Sequence, residues 1–153
     1  MIEQRLKELG LQLPAAGKPM YQYVPVVLQG EIAYVSGQVP WSAPGQAMVT
    51  GKLGRDATME NAQAGARQCV LQALAVLKQA TGSLDRVARA VKLTGFVASA
   101  PGFNDQPVVI DAASALLVEI LGDAGRHARS AVGVAELPRN SAVEIEFIFA
   151  LKN

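Results

Sequence analysis

Two charged residues in the last quarter of the chain, Arg129 and Glu144, interrupt otherwise regular strand patterns. The rest of the composition narrows what they could do. There is one histidine, His127, and one cysteine, Cys69. A Ser-His-Asp or Cys-His triad would have to rest on that single imidazole. A multi-histidine metal site and a cysteine cluster are both excluded. Any chemistry is therefore left to arginine, carboxylates, hydroxyls and backbone amides.

The elements that must position these residues are legible from periodicity. In RHARSAVGVAELP (126–138), Val132 and Val134 alternate with Ala131, Gly133 and Ala135. In NSAVEIEFIFAL (140–151), Val143, Ile145, Phe147, Phe149 and Leu151 alternate with Glu144, Glu146, Ile148 and Ala150. A two-residue period of this length predicts strands, and Leu137-Pro138-Arg139-Asn140 supplies the turn of a closing hairpin. The second strand carries apolar residues on both faces. Both sides then need a cover, one of which a second subunit would provide.

Residues 2–9 predict a short helix ended by Gly10, and 13–17 a linker. The stretch 21–28 favours a strand, with Pro25 implying an edge or bulge, and Gln29-Gly30-Glu31 turns into a second strand at 32–36. Residues 37–54, with Pro40, Trp41, Pro44, Gly45 and Gly51, read as a long loop. Trp41 in it suits a pocket lid or an interface anchor. From Met59 to Ala80, residues Met59, Ala62, Ala66, Cys69, Val70, Ala73, Val76, Leu77 and Ala80 form one helical arc. Gln63, Arg67, Gln68, Gln72 and Lys78 fall opposite, and Asp56 or Thr58 is the cap. A strand over 90–98 and a helix from Pro107, with Val109, Ala113, Leu116, Leu117 and Ile120 inward, complete the order. Strands flanked by two main helices predict an α+β domain with both helices on one sheet face.

The 153 residues suit one domain, and at 50% hydrophobic they can fill a core. A net charge of +1 with scattered basic residues leaves no footprint for nucleic acid. Apolar runs are too short to span a membrane. The charged, amphipathic start MIEQRLKELG does not read as a secretory signal, so a cytoplasmic protein is expected.

Four segments in order, YVSGQVP (34–40), VKLTGFVA (91–98), ARSAVGVAELP (128–138) and EIE (144–146), resemble the YjgF/YER057c/UK114 family, the Rid enamine/imine deaminases. The likeness spans 21–153 and leaves 1–20 as an N-terminal extension with a short helix. It implies a chorismate-mutase-like α+β fold with a mixed sheet, a homotrimer and ligand sites between subunits, without metal or cofactor. By resemblance, Arg129 grips a substrate carboxylate and Ala131 offers its backbone amide. Tyr23 stands at the rim, Ser36 and Gly37 line the pocket, and Glu144 holds the attacking water. Three positions depart from the family pattern. His127 replaces a proline, Tyr21-Gln22 replaces Gly-Pro, and Asp111 or a neighbour replaces an asparagine.

The resemblance implies hydrolysis of a 2-imino acid to a 2-oxo acid and ammonia. A guanidinium can hold the carboxylate bidentately and a carboxylate can orient water, which suits Arg129 and Glu144. Spacing alone instead favours a salt bridge from Arg129 to Glu144 or Glu146 across the hairpin. Tyr23 divides between packing and ligand contact. His127 reads as an idle loop residue or, next to the strand of Arg129, as a group touching ligand or titrating near neutral pH. Cys69 reads as core. A non-catalytic small-carboxylate binder or divergent hydrolase is the alternative function. An endoribonuclease, a label some family members carry, is opposed by the balanced charge.

Overall fold

The structure, a computed structural model, describes residues 1–41 and 48–153; Pro44 and Gly45 of the expected loop lie outside the described residues. Five strands form one mixed sheet: β1 Val26–Gln29, β2 Ile32–Gln38, β3 Val87–Ala98, β4 Ala128–Val134 and β5 Val143–Leu151. Among the described residues, three α-helices accompany them: α1 Ile2–Glu8, α2 Met59–Thr81 and α3 Gln106–Leu121. The sheet order is β1-β2-β5-β3-β4, antiparallel except where β4 runs parallel to β3. The fold is α+β, with α2 and α3 against one face of the sheet.

The closing hairpin does not form. β5 pairs with β2 on one side and β3 on the other, while β4 lies on the far edge of β3. The reason is the α3 crossover: a strand–helix–strand connection returns parallel to its first strand and beside it. β5, apolar along its length, gains more from two neighbours in the middle of the sheet than from pairing with β4. The chain reaches it through a turn at Pro138–Asn140 in which Arg139 and Asn140 take the left-handed conformation (φ 58° and 57°).

The alternation predicted for β5 holds at every position. Val143, Ile145, Phe147, Phe149 and Leu151 are buried beneath the helices, and Glu144, Glu146, Ile148 and Ala150 face the other way. In α2, Thr58 is the cap, its Oγ1 accepting from Asn61 N at 3.1 Å. The inward arc is buried as expected except at its ends, where Met59 is half-buried and Ala80 exposed. Gln72, placed by pattern on the solvent side, is buried, and its Nε2 donates to Trp41 O at 2.6 Å. The same loop carbonyl also accepts from Gln68 Nε2 at 3.2 Å, so two side chains of α2 hold it. α3 begins with Pro107 in its first turn and buries Val109, Ala113, Leu116, Leu117 and Ile120. Gly95 lets β3 approach it closely, since a Cβ there would strike Ile110.

The strand expected over 21–28 starts only at Val26. Pro25 has no N–H for a ladder, and Tyr21–Tyr23 form a bend closed by Tyr23 N donating to Tyr21 O. Tyr23 is therefore on an exposed loop rather than a strand. Ile2 and Leu6 of α1 join the core, and Arg5 Nε donates to the Glu119 carbonyl near the end of α3.

Candidate functional site

Arg129 lies on edge strand β4, in register with Leu93 of β3 and so on the helix-covered face. It does not pair with Glu144 or Glu146. Its Nη1 donates instead to Asp111 Oδ1 at 3.2 Å and to Ser114 Oγ at 3.2 Å, both on α3. Asp111 and Ser114 are three residues apart, which puts them one above the other on one side of a helix.

No local pattern in the sequence marks Ser114; its three-residue spacing from Asp111 is the one signal that points to it. Ser114 connects Arg129 to His127. His127 Nδ1 lies 2.6 Å from the Gly125 carbonyl, which only accepts, so Nδ1 carries the proton. In the neutral ring Nε2 then accepts from Ser114 Oγ at 3.0 Å, which leaves the serine oxygen to receive Arg129. His127 is thus neither idle nor a direct arm into the cavity. It holds the serine that holds the arginine.

Beside this chain of bonds is an open cavity of about 460 Å³, lined by Gln63, Pro107, Val108, Asp111, Ala112, Ala115 and Arg129. Among the described residues, Arg129 and Asp111 are its only charged lining residues. Ala131 follows on the same side of β4, packed against the core.

Glu144 belongs elsewhere. Its register partner is Phe96, next to the exposed Val132, so it lies on the face the helices leave open. It faces Gly37, where a Cβ would run into Glu144 Oε1. Gly37 sits in the bulged stretch of β2 between Val35 and Gln38. Ser36 Oγ donates to Val24 O at 2.8 Å, tying down the loop that carries Tyr23. Burial, and then the neighbouring Glu146, push the Glu144 carboxyl above its ordinary range.

The expected site residues therefore fall into two groups on opposite faces of one sheet. Arg129, Asp111, His127 and Ala131 are on the helix side; Glu144, Gly37 and Ser36 are on the other, with Tyr23 on the loop tied to Ser36. The open face also exposes Val27, Tyr34 and Val132. Trp41 joins neither group directly: the Arg139 guanidinium sits 4.8 Å from the centre of its ring.

A family profile described as "YjgF/chorismate mutase-like, putative endoribonuclease" matches residues 3–151. The chain belongs to the YjgF/chorismate-mutase-like family. It is 45% identical over 153 residues to Protein TCP17 of Trypanosoma cruzi, covering 99% of this chain and 95% of that one. It is 32% identical over 142 residues to the 2-iminobutanoate/2-iminopropanoate deaminase of Dermatophagoides farinae, covering 93% and 95%. Among solved structures, a protein of unknown function from Agrobacterium tumefaciens superposes with a TM-score of 0.89 at 47% identity, covering 99% of this chain and 92% of that one. The family profile takes in α1, whose apolar residues belong to the core.

Proposed function

We propose that this YjgF-family chain is a cofactor-free deaminase that hydrolyses 2-imino acids to 2-oxo acids and ammonia, working as a homotrimer in the cytoplasm. The observation that carries the reading is Arg129: a part-buried guanidinium, fixed from behind by Ser114, at the wall of an open cavity. Such a group holds a carboxylate in one orientation and presents the adjacent imine carbon to attack. The identity to a protein named as an iminobutanoate deaminase supports the same reaction.

Glu144 supplies the second role. Its raised pKa suits a carboxylate that orients water and accepts its proton as the water attacks. Within one chain it lies across the sheet from Arg129. A second copy docked by its open face against the β4 edge would bring Glu144, Gly37, Ser36 and Tyr23 to the Arg129 cavity, with the amide of Ala131 completing the grip on the ligand. The apolar residues exposed on that face give the contact its driving force.

The test is release of ammonia and 2-oxo acid from freshly generated imino acids, against the rate without protein. No acceleration on any imino acid by folded protein would overturn the deaminase. A solution mass equal to one chain of 16.1 kDa, rather than three, would overturn the shared site. A second reading, a small-carboxylate-binding protein without catalysis, is motivated by the departures from the family pattern at Gln22, Asp111 and His127. In that case ligand would bind without turnover.

The Glu144 assignment has a pH signature. Water activation needs the ionised carboxylate, so activity falls as pH drops through the raised pKa, earlier than for an unperturbed glutamate. Glu146→Gln removes the like charge that helps raise it. The acidic limb of kcat/KM should then move to lower pH, and an unmoved limb would remove Glu144 from the chemistry. A carboxyl whose folded pKa is raised contributes stability below its unfolded pKa, and loses it as pH rises through the folded one.

A further inference from the structure

We propose that Asp111 makes the Arg129 cavity selective for zwitterions, so that it holds an iminium acid and rejects the 2-oxo acid formed from it. The inference rests on the deaminase reading above and names how that site separates substrate from product. Among the described residues the cavity wall presents one positive and one negative group side by side, Arg129 and Asp111, with Nη1 and Oδ1 3.2 Å apart. Everything else on the wall is uncharged: Gln63, Pro107, Val108, Ala112 and Ala115.

Asp111 is not spent on holding the fold. Its side chain is 74% exposed, against 25% for Arg129, and an ion pair so open to water adds little stability. Ser114, held in turn by His127, takes a second bond from the same Nη1 and favours the position of Arg129 beside Asp111. Its Nη2 and Nε have no hydrogen-bond partner among the described residues and remain for a ligand carboxylate. A plain carboxylate arriving there meets Asp111 as a like charge at close range, which opposes binding. A carboxylate with a protonated nitrogen beside it places that nitrogen on Asp111 and satisfies both poles.

The reaction removes the second charge. Water adds to the iminium carbon, its oxygen forming the new C–O bond. The C–N bond breaks, and both water protons leave on nitrogen as ammonium. No oxidant is needed, and the charge balances. The product keeps its carboxylate but has nothing to offer Asp111, so the site that gripped the substrate expels the 2-oxo acid.

The test is calorimetric binding of two stable probes, 2-aminobutanoate as the zwitterion and 2-oxobutanoate as the plain anion. The native protein should bind the amino acid more tightly. Asp111→Asn should tighten the oxo acid roughly tenfold and weaken the amino acid, reversing the order. Asp111→Glu should restore the native order, and melting temperatures confirm that each variant is folded. An unchanged preference in Asp111→Asn overturns the proposal and leaves Asp111 as a surface ion pair. If neither probe binds the native protein, and Arg129→Ala behaves identically, the carboxylate site itself fails and this proposal with it.

Discussion

Replacing Arg129 with alanine is expected to lower kcat/KM for imino-acid hydrolysis by about 100-fold or more while leaving the protein folded. The magnitude follows from removing a charged anchor: hydrogen bonds to charged groups are worth about 1.5–3 kcal/mol each, and each 1.4 kcal/mol is a factor of ten. The loss should fall on kcat as well as KM, because the carboxylate grip also orients the imine carbon. Arg129→Lys should recover only part of the activity, since an ammonium cannot make the paired contact. Folding should survive because Asp111 is exposed and can turn to water, while the half-buried Ser114 keeps its bond to His127. A variant that hydrolyses imino acids at the native rate would displace Arg129 from the centre of the site.

Phe149→Ala should produce the largest loss of stability. Phe149 is fully buried in the central strand, its ring 5.8 Å from that of Phe147 at an interplanar angle of 17°. Its register neighbours are Ala33 on β2 and Ala90 on β3, both buried and too small to close the gap. Phenylalanine-to-alanine changes in cores cost about 3–5 kcal/mol, a large share of the 5–15 kcal/mol that holds an ordinary domain together. The melting temperature should fall by about 6–20 °C. A fall of only a degree or two would mean that α2 settles into the space, contrary to the close packing its alanines suggest.

What the sequence discloses follows from the range of each interaction. The alternation of β5, the arc of α2 and the Thr58 cap are set within a few residues, and periodicity finds them. The neighbour of β5 is not set locally. Alternation marks which face of a strand is buried but not which strand lies beside it, so the pattern that suggests a closing hairpin is equally compatible with β5 between β2 and β3. The same limit splits the site. Arg129 and Glu144 were each legible as charged residues on strands. That they occupy opposite faces depends on β3 lying between β4 and β5. Gln72 departs from its pattern for a related reason: its polarity points outward, but the carbonyl it bonds belongs to a residue 31 positions earlier. Ser114, small and ordinary in a helix, acquires meaning only once Arg129 and His127 arrive on either side of it.

Cys69 packs fully inside α2's buried stripe, and burial pushes its thiol far above the usual range. In the intact fold it is therefore neither nucleophilic nor reachable by a reagent. As the chain's single thiol, it can react only when the helix lifts from the sheet. The rate at which a small disulfide reagent labels it should then time that opening directly, and ligand held at the Arg129 cavity should slow the clock.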